Sequence, residues 1–199
     1  RAAGYIANAV KIPCICDADT GFGETWQVMR TVRAYEREGL AGLHLEDQVM
    51  PKRCGHLDGK SLITTEEMER KIAAACEARQ DPDFMIIARC DARAVESFER
   101  SVERGQRYLA AGADAIFAEA MQSPDEFARY AEQVKGPLLA NMTEFGKSPH
   151  LTVDEFAGMG YSMVIFPMSA FRAMMKAVEG LFRELKEKGT LEGALSRMR

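Results

Sequence analysis

The sequence predicts an α/β fold, a (β/α)8 TIM-type barrel of which this segment holds about six of the eight strand–helix units. Three observations predict it. Short apolar runs alternate strictly with long amphipathic helical patterns. The runs carry no polar alternation, as expected of parallel strands buried on both faces. Nearly every run ends in acids, an arginine or an amide, whereas a doubly wound nucleotide binder gathers its chemistry in one glycine-rich turn. Gly21 and Gly23 after Asp19 do not complete G-x-G-x-x-G, so the barrel is preferred.

Each element follows from local chemistry. The opening RAAGYIANAVKIP reads as the tail of a helix entering a strand. IPCIC leads to Asp17 and Asp19, AGLHL to Glu46 and Asp47, and FMIIA to Arg89 and Asp91. AIFA leads to Glu119, PLLA to Asn141, Thr143 and Glu144, and MVIF to Pro167 and Ser169. Between these runs, a helix over 24–38 closes at Gly39. Thr64 and Glu67 form a capping-box pattern before Met68, Ile72 and Cys76, which share one helical face. Phe98, Val102 and Leu109 define the next helix, which stops at Gly112. Ser123-Pro124-Asp125-Glu126 supplies a cap, a proline at the first helical position and a box glutamate. Thr152 and Glu155 repeat the box for a short helix ending at Gly160. The longest helix runs from Ala170 to Lys188 with Phe171, Val178, Leu181, Phe182 and Leu185 on its apolar side, and Met174 and Met175 are expected to fill the core. Both ends read as cut: there is no initiating methionine, and helical patterning continues through GALSRMR. Residues 1–199 are expected to be one barrel domain lacking N-terminal units and C-terminal helices.

Composition narrows the function. With 199 residues, 47% hydrophobic and 28% charged, the chain has the proportions of a globular protein with a sizeable core. A net charge of −4 gives no nucleic-acid or membrane signature. No apolar run approaches the ~18 residues of a membrane span, and no signal-peptide pattern opens the chain. Five cysteines without regular spacing read as reduced thiols, so a cytoplasmic setting is expected.

Asp17 and Asp19, two apart at a strand end, should project their carboxylates to one side. Close carboxylates repel unless a proton or cation intervenes, and a hard divalent ion such as Mg2+ suits oxygen donors. Glu46 and Asp47 would complete the shell through waters. Each acid alone reads equally as a helix cap or an arginine partner; together, on one rim, they point to a metal. Arg89 ends an apolar strand and needs an anionic partner, either Asp91 or Glu119 or a substrate carboxylate. Arg172 is a second candidate. His44 reads as a hydrogen-bonded core residue and His150 as a surface residue, while Cys14, Cys16, Cys76 and Cys90 read as packing residues. The stretch PKRCGHLDGK at 51–60 has no periodicity and reads as a loop. Positive neighbours on Cys54 (Lys52, Arg53 and His56) favour a reactive thiolate; an exposed basic loop with an incidental cysteine fits the local composition as well.

Six motifs add a resemblance. DADTGFG at 17–23, GLHLEDQ at 42–48, KRCGH at 52–56, ARCDA at 88–92, NMTEFG at 141–146 and SAFRAM at 169–174 resemble, in order and spacing, the isocitrate lyase/phosphoenolpyruvate mutase superfamily, and within it the 2-methylisocitrate lyases. The resemblance covers essentially the whole chain. It implies a Mg2+-dependent (Mn2+ in its place) carbon–carbon lyase acting on a 2-hydroxy carboxylate by a retro-aldol step, in a homotetramer. Asp17 and Asp19 would hold the metal, with Glu46 in the outer shell. Cys54 would be the general acid, assisted by Arg53 and His56. Cys54, Gly55, Arg89, Glu119, Asn141, Met142, Thr143 and Arg172 would bind substrate, with 51–60 as a lid. Two departures stand out. Cys90 replaces the threonine usual in ARTDA, beside Arg89, where it would tune the pocket. LDGK after KRCGH is similar to the 2,3-dimethylmalate lyase and carboxyphosphonoenolpyruvate mutase branches.

Overall fold

The computed structural model describes residues 1–198. Six parallel strands are hydrogen-bonded in sequential order: β1 Ile15–Asp17, β2 Gly42–Glu46, β3 Met85–Cys90, β4 Ala115–Ala118, β5 Leu138–Asn141 and β6 Met163–Ile165. The helices are α1 Ala2–Ala9, α2 Thr25–Arg37, α3 Thr65–Ala78, α4 Ala92–Val95, α5 Phe98–Ala110, α6 Pro124–Gln133, α7 Val153–Gly158 and α8 Ser169–Lys188, followed by a 3-10 turn at Glu192–Arg197. A doubly wound sheet reverses its strand order at a switch point. Here the order runs without reversal, giving a half-barrel with all carboxyl ends on one rim.

The helix starts follow the anticipated chemistry. Thr64 and Thr152 each complete a reciprocal capping box, and the Ser123 hydroxyl accepts from the Glu126 N–H with Pro124 in the first turn. α8 ends where Gly189 adopts φ 67°, and the following residues form a 3-10 turn instead of continuing the helix.

Strand periodicity separates two apolar layers. Leu43, Leu45, Ile86, Ala88, Cys90, Ile116, Ala118, Leu138 and Ala140 join the larger core shared with the helices. The alternate residues Ile87, Ala115, Phe117 and Leu139 form a smaller cluster inside the arc. Full burial of a side chain such as Ile87 or Phe117 contributes about 1.5–3 kcal/mol, so a one-residue slip of β3 or β4 would be strongly disfavoured. Phe127, Phe156 and Tyr161 lock α6 to α7 through edge-to-face contacts 5.0–5.7 Å between centroids.

The long helix departs from expectation. Phe171, Met174, Met175, Phe182 and Leu185 are exposed, and only Glu184 of α8 is buried. α8 follows the last strand of the arc, so neighbouring chain covers little of its apolar side. Met174 and Met175 are therefore not core residues in this chain. No helix among the described residues is long and apolar enough to cross a membrane.

Candidate active site

β1 ends at Asp17, and the chain turns at once. Asp19 has φ 47°, and its N–H donates to Asp17 Oδ1 at 2.9 Å. The two carboxylates thus meet through an Asx-type turn, not through the strand alternation anticipated from their spacing. The Glu46 N–H donates to the Asp19 carbonyl at 2.8 Å, which fixes this turn against the end of β2. One oxygen each from Asp17, Asp19 and Glu46 lie within 4.8 Å of one another. Glu46 is fully buried and neither of its oxygens accepts a hydrogen bond. Burial pushes its carboxyl up to about 7, against the pull of Arg89. The Lys52 ammonium has entered this trio, 2.5 Å from Asp19, 3.7 Å from Glu46 and 4.0 Å from Asp17. An all-oxygen donor set, an orphaned buried carboxylate and a cation already drawn in fit a hard divalent metal ion.

Asp47 does not join it. Period two turns it to the helix side, where it accepts from the Asp91 N–H at 2.9 Å and Tyr108 at 2.8 Å and pairs with Arg104 at 3.3 Å. His44 faces inward, its Nδ1 3.3 Å from Asp17 Oδ1 without a hydrogen bond and its ring edge-on to Phe117. Burial lowers its pKa, with Asp17 opposing. His44 is a buried core residue as expected, but its Nδ1 faces Asp17 without the hydrogen bond that was expected of it.

Arg89 is the hub of the rim. Opposite Glu46 in the β2–β3 register, it lies 3.1 Å from Glu46 and donates to Asp91 through two nitrogens at 3.0 and 3.2 Å. It also lies 3.5 Å from Glu119 and over the Phe117 ring. Burial opposes the charge, yet Asp91, Glu119 and Glu46 together raise its pKa. Glu119, almost fully buried, lies 2.9 Å from His56 Nε2 and accepts from Asn141 Nδ2 at 3.2 Å. Burial alone would raise its pKa, but His56, Arg89 and Asn141 outweigh it and hold it down to about 2.

The 51–60 loop closes over this rim. Gly55 is buried so tightly that a Cβ there would collide with Glu119 and the Arg89 guanidinium. Gln48 accepts from and donates to the Arg53 backbone, both at 2.9 Å. His56 Nδ1 accepts from the Lys147 N–H at 2.9 Å, and Lys147 Nζ donates to Asp58 at 2.6 Å, so the loop after β5 clasps the lid. Cys54 is exposed, and among the described residues its thiol has no hydrogen bond. The polar side chains that flank it have partners elsewhere: Lys52 the carboxylates, Arg53 the Asp58 carbonyl at 3.3 Å, His56 Glu119. Arg53 points into its own loop, and of the two readings of the stretch, a reactive thiolate or an exposed basic loop, the exposure of Cys54 fits either.

Asn141 and Thr143 line the mouth, and Asn141 Oδ1 is buried without a partner. Met142 does not present its side chain there; it lies in the helix-side core and its N–H donates to the Ile165 carbonyl. Arg172 is apart from the Arg89 hub, bonded to the Glu144 carbonyl and 3.3 Å from its carboxylate, with Phe145 beneath. Cys90 is fully buried on the helix side, where the Ser101 hydroxyl donates to its sulfur at 3.8 Å, so it cannot tune the pocket. Lys52 and Lys60 were missed as site residues. Both stand in a loop without periodicity, and only the basic loop composition marked them.

With this geometry in place, comparison with known proteins gives the family. The phosphoenolpyruvate phosphomutase family model matches residues 1–186. The chain is 57% identical over 194 residues to 2-methylisocitrate lyase of Aeropyrum pernix, covering 98% of this chain and 62% of that protein. It is 45% identical to 2,3-dimethylmalate lyase of Eubacterium barkeri, covering 98% and 68%. A solved phosphonopyruvate hydrolase in complex with oxalate and Mg2+ superposes with TM-score 0.87 at 34% identity, covering 99% of this chain and 69% of that one. The chain spans about two thirds of the length of these relatives. Motifs, fold and family model agree: the chain belongs to the phosphoenolpyruvate mutase/isocitrate lyase superfamily.

Proposed function

We propose that this chain carries, on a single barrel domain, a Mg2+-dependent carbon–carbon lyase that cleaves 2-methylisocitrate to pyruvate and succinate, working as a homotetramer in the cytoplasm. The observation that carries this is the Asp17–Asp19–Glu46 trio facing Arg89 beneath a lid that bears Cys54. Asp17 and Asp19 would hold the metal and Glu46 its outer shell; when bound, it supplies Lewis acidity toward the oxygen of the 2-hydroxy acid. The A. pernix relative is a 2-methylisocitrate lyase, and a more distant relative binds Mg2+.

The chain's own residues do the rest. Arg89, held by Asp91, receives a substrate carboxylate in place of its present acid partners. Glu119 and Asn141 position the substrate from the opposite side, with Thr143 at the mouth and Arg172 in the first turn of α8. A general base distinct from Cys54 takes the 2-hydroxyl proton, a C=O forms and the bond between the hydroxyl-bearing carbon and its neighbour breaks. The electron pair stays on the carbon next to the succinate carboxylate. The Cys54 S–H delivers its proton to that carbon. The lid excludes water while this happens, and Gly55 brings backbone to the substrate where a side chain could not fit.

A second substrate has a specific observation behind it. LDGK at 57–60 is shared in pattern with the 2,3-dimethylmalate branch, whose substrate needs one carboxylate contact fewer. The test is a panel of 2-methylisocitrate, 2,3-dimethylmalate and isocitrate with Mg2+, followed by keto-acid detection. Pyruvate from 2-methylisocitrate is expected; keto acid from none of the three rejects the lyase.

A further inference from the structure

Lys60 closes the lid stretch, and its side chain is 1% exposed. A lysine buried this deeply requires compensation, because removing an ammonium from water is costly. It has two partners. Its Nζ donates to Asp91 Oδ1 at 3.0 Å and, at closer range, to the Gly55 carbonyl. Asp91 is the residue that receives Arg89 through two nitrogens. Gly55 is the lid residue pressed against Arg89 and Glu119. A single ammonium therefore joins the lid backbone to the carboxylate that aims the arginine.

We infer that Lys60 is a positioning residue that makes lid closure and Arg89 orientation one event. With the lid open, the Gly55 carbonyl leaves Nζ, and Lys60 must either follow it out or stay with Asp91 as its sole partner. With the lid shut, both ends of the link are satisfied. Asp91 then has its charge shared between Lys60 and Arg89, and the arginine presents its remaining N–H groups toward Glu46 and Glu119. A side chain without N–H donors, such as methionine, cannot bridge the carbonyl and the carboxylate, because both are acceptors. The inference builds on reading the rim as a carboxylate-binding site, but the link itself is a property of the lid.

The test compares Lys60→Met and Lys60→Arg with the wild-type protein in three measurements: tryptic cleavage of the Arg53–Cys54 bond, melting temperature, and KM and kcat on 2-methylisocitrate. Loss of a charge-assisted hydrogen bond predicts that Lys60→Met is cut at Arg53–Cys54 about tenfold or more faster, with cleavage outside residues 51–61 unchanged, the Lys60–Ser61 site being removed by the substitution itself. Its KM rises as Arg89 loses its aim and its kcat falls as the lid loosens, each by about tenfold. Lys60→Arg, which keeps the charge, recovers part of both. Equal cleavage rates at Arg53–Cys54 overturn the inference. So does acceleration at every bond together with a fall in melting temperature, since that marks a purely structural role. If the wild-type protein turns over no substrate, the lyase proposal fails while the cleavage comparison still decides the role of Lys60.

Discussion

The Lys52 ammonium lies 2.5 Å from Asp19 Oδ1, inside the carboxylate trio that would hold a divalent ion. A lid residue thus neutralises the metal site when the lid is shut, and a metal entering that site must displace it. Lys52→Met should bind Mn2+ about fivefold or more tightly, since it removes a like charge a few ångströms away. Calorimetric titration measures this, and weaker binding in the variant would show that Lys52 assists the metal instead of competing with it.

Asp17→Ala removes one donor from the trio and relieves none of the burial of Glu46. Mn2+ affinity should fall by about 100-fold or more, with metal-dependent turnover lost. Full activity in the presence of a chelator would remove the metal from the account.

Glu119 links lid and barrel through His56, with its pKa held at about 2 against an ordinary 4.5. A carboxylate depressed on folding contributes stability that is complete above about pH 4.5 and is lost as pH falls toward about 2. The shift corresponds to roughly 3 kcal/mol. Urea unfolding of the wild-type protein should show this loss across that window, and Glu119→Gln should flatten it while lowering stability at neutral pH. Parallel profiles for the two proteins would mean that the Glu119 charge is not stabilised by the fold.

Cys90 touches Ser101 on the helix side and not the rim. Cys90→Thr should therefore leave KM unchanged, with any effect confined to stability through the pairing of the new hydroxyl with Ser101. A severalfold change in KM would place the side chain back at the pocket.

What could be read from the sequence followed from periodicity and capping. AIFA coincides with β4, and Thr64, Ser123 and Thr152 each cap the helix they precede. Arg89 was legible as a buried cation in search of acids, and it found three. The failures share a cause. Asp17 and Asp19 meet through a left-handed residue that no side-chain period describes. Lys52 and Lys60 act from an aperiodic loop whose partners lie on other strands, and loop closure of that kind leaves no local signal. Asp47 was assigned to the metal shell by adjacency, although adjacent strand residues face opposite ways, while the reading of Cys90 as a packing residue holds over a role in tuning the pocket. The exposed side of α8 was assigned to the core because an apolar helix face shows that cover is needed without showing what supplies it.

The most direct test is pyruvate release from 2-methylisocitrate by the wild-type protein and by Cys54→Ser, at saturating Mg2+. The wild-type protein should release pyruvate, and the variant should bind Mn2+ and substrate normally while turning over at least about 100-fold more slowly, as loss of a general acid implies. Undiminished turnover in Cys54→Ser would contradict the account.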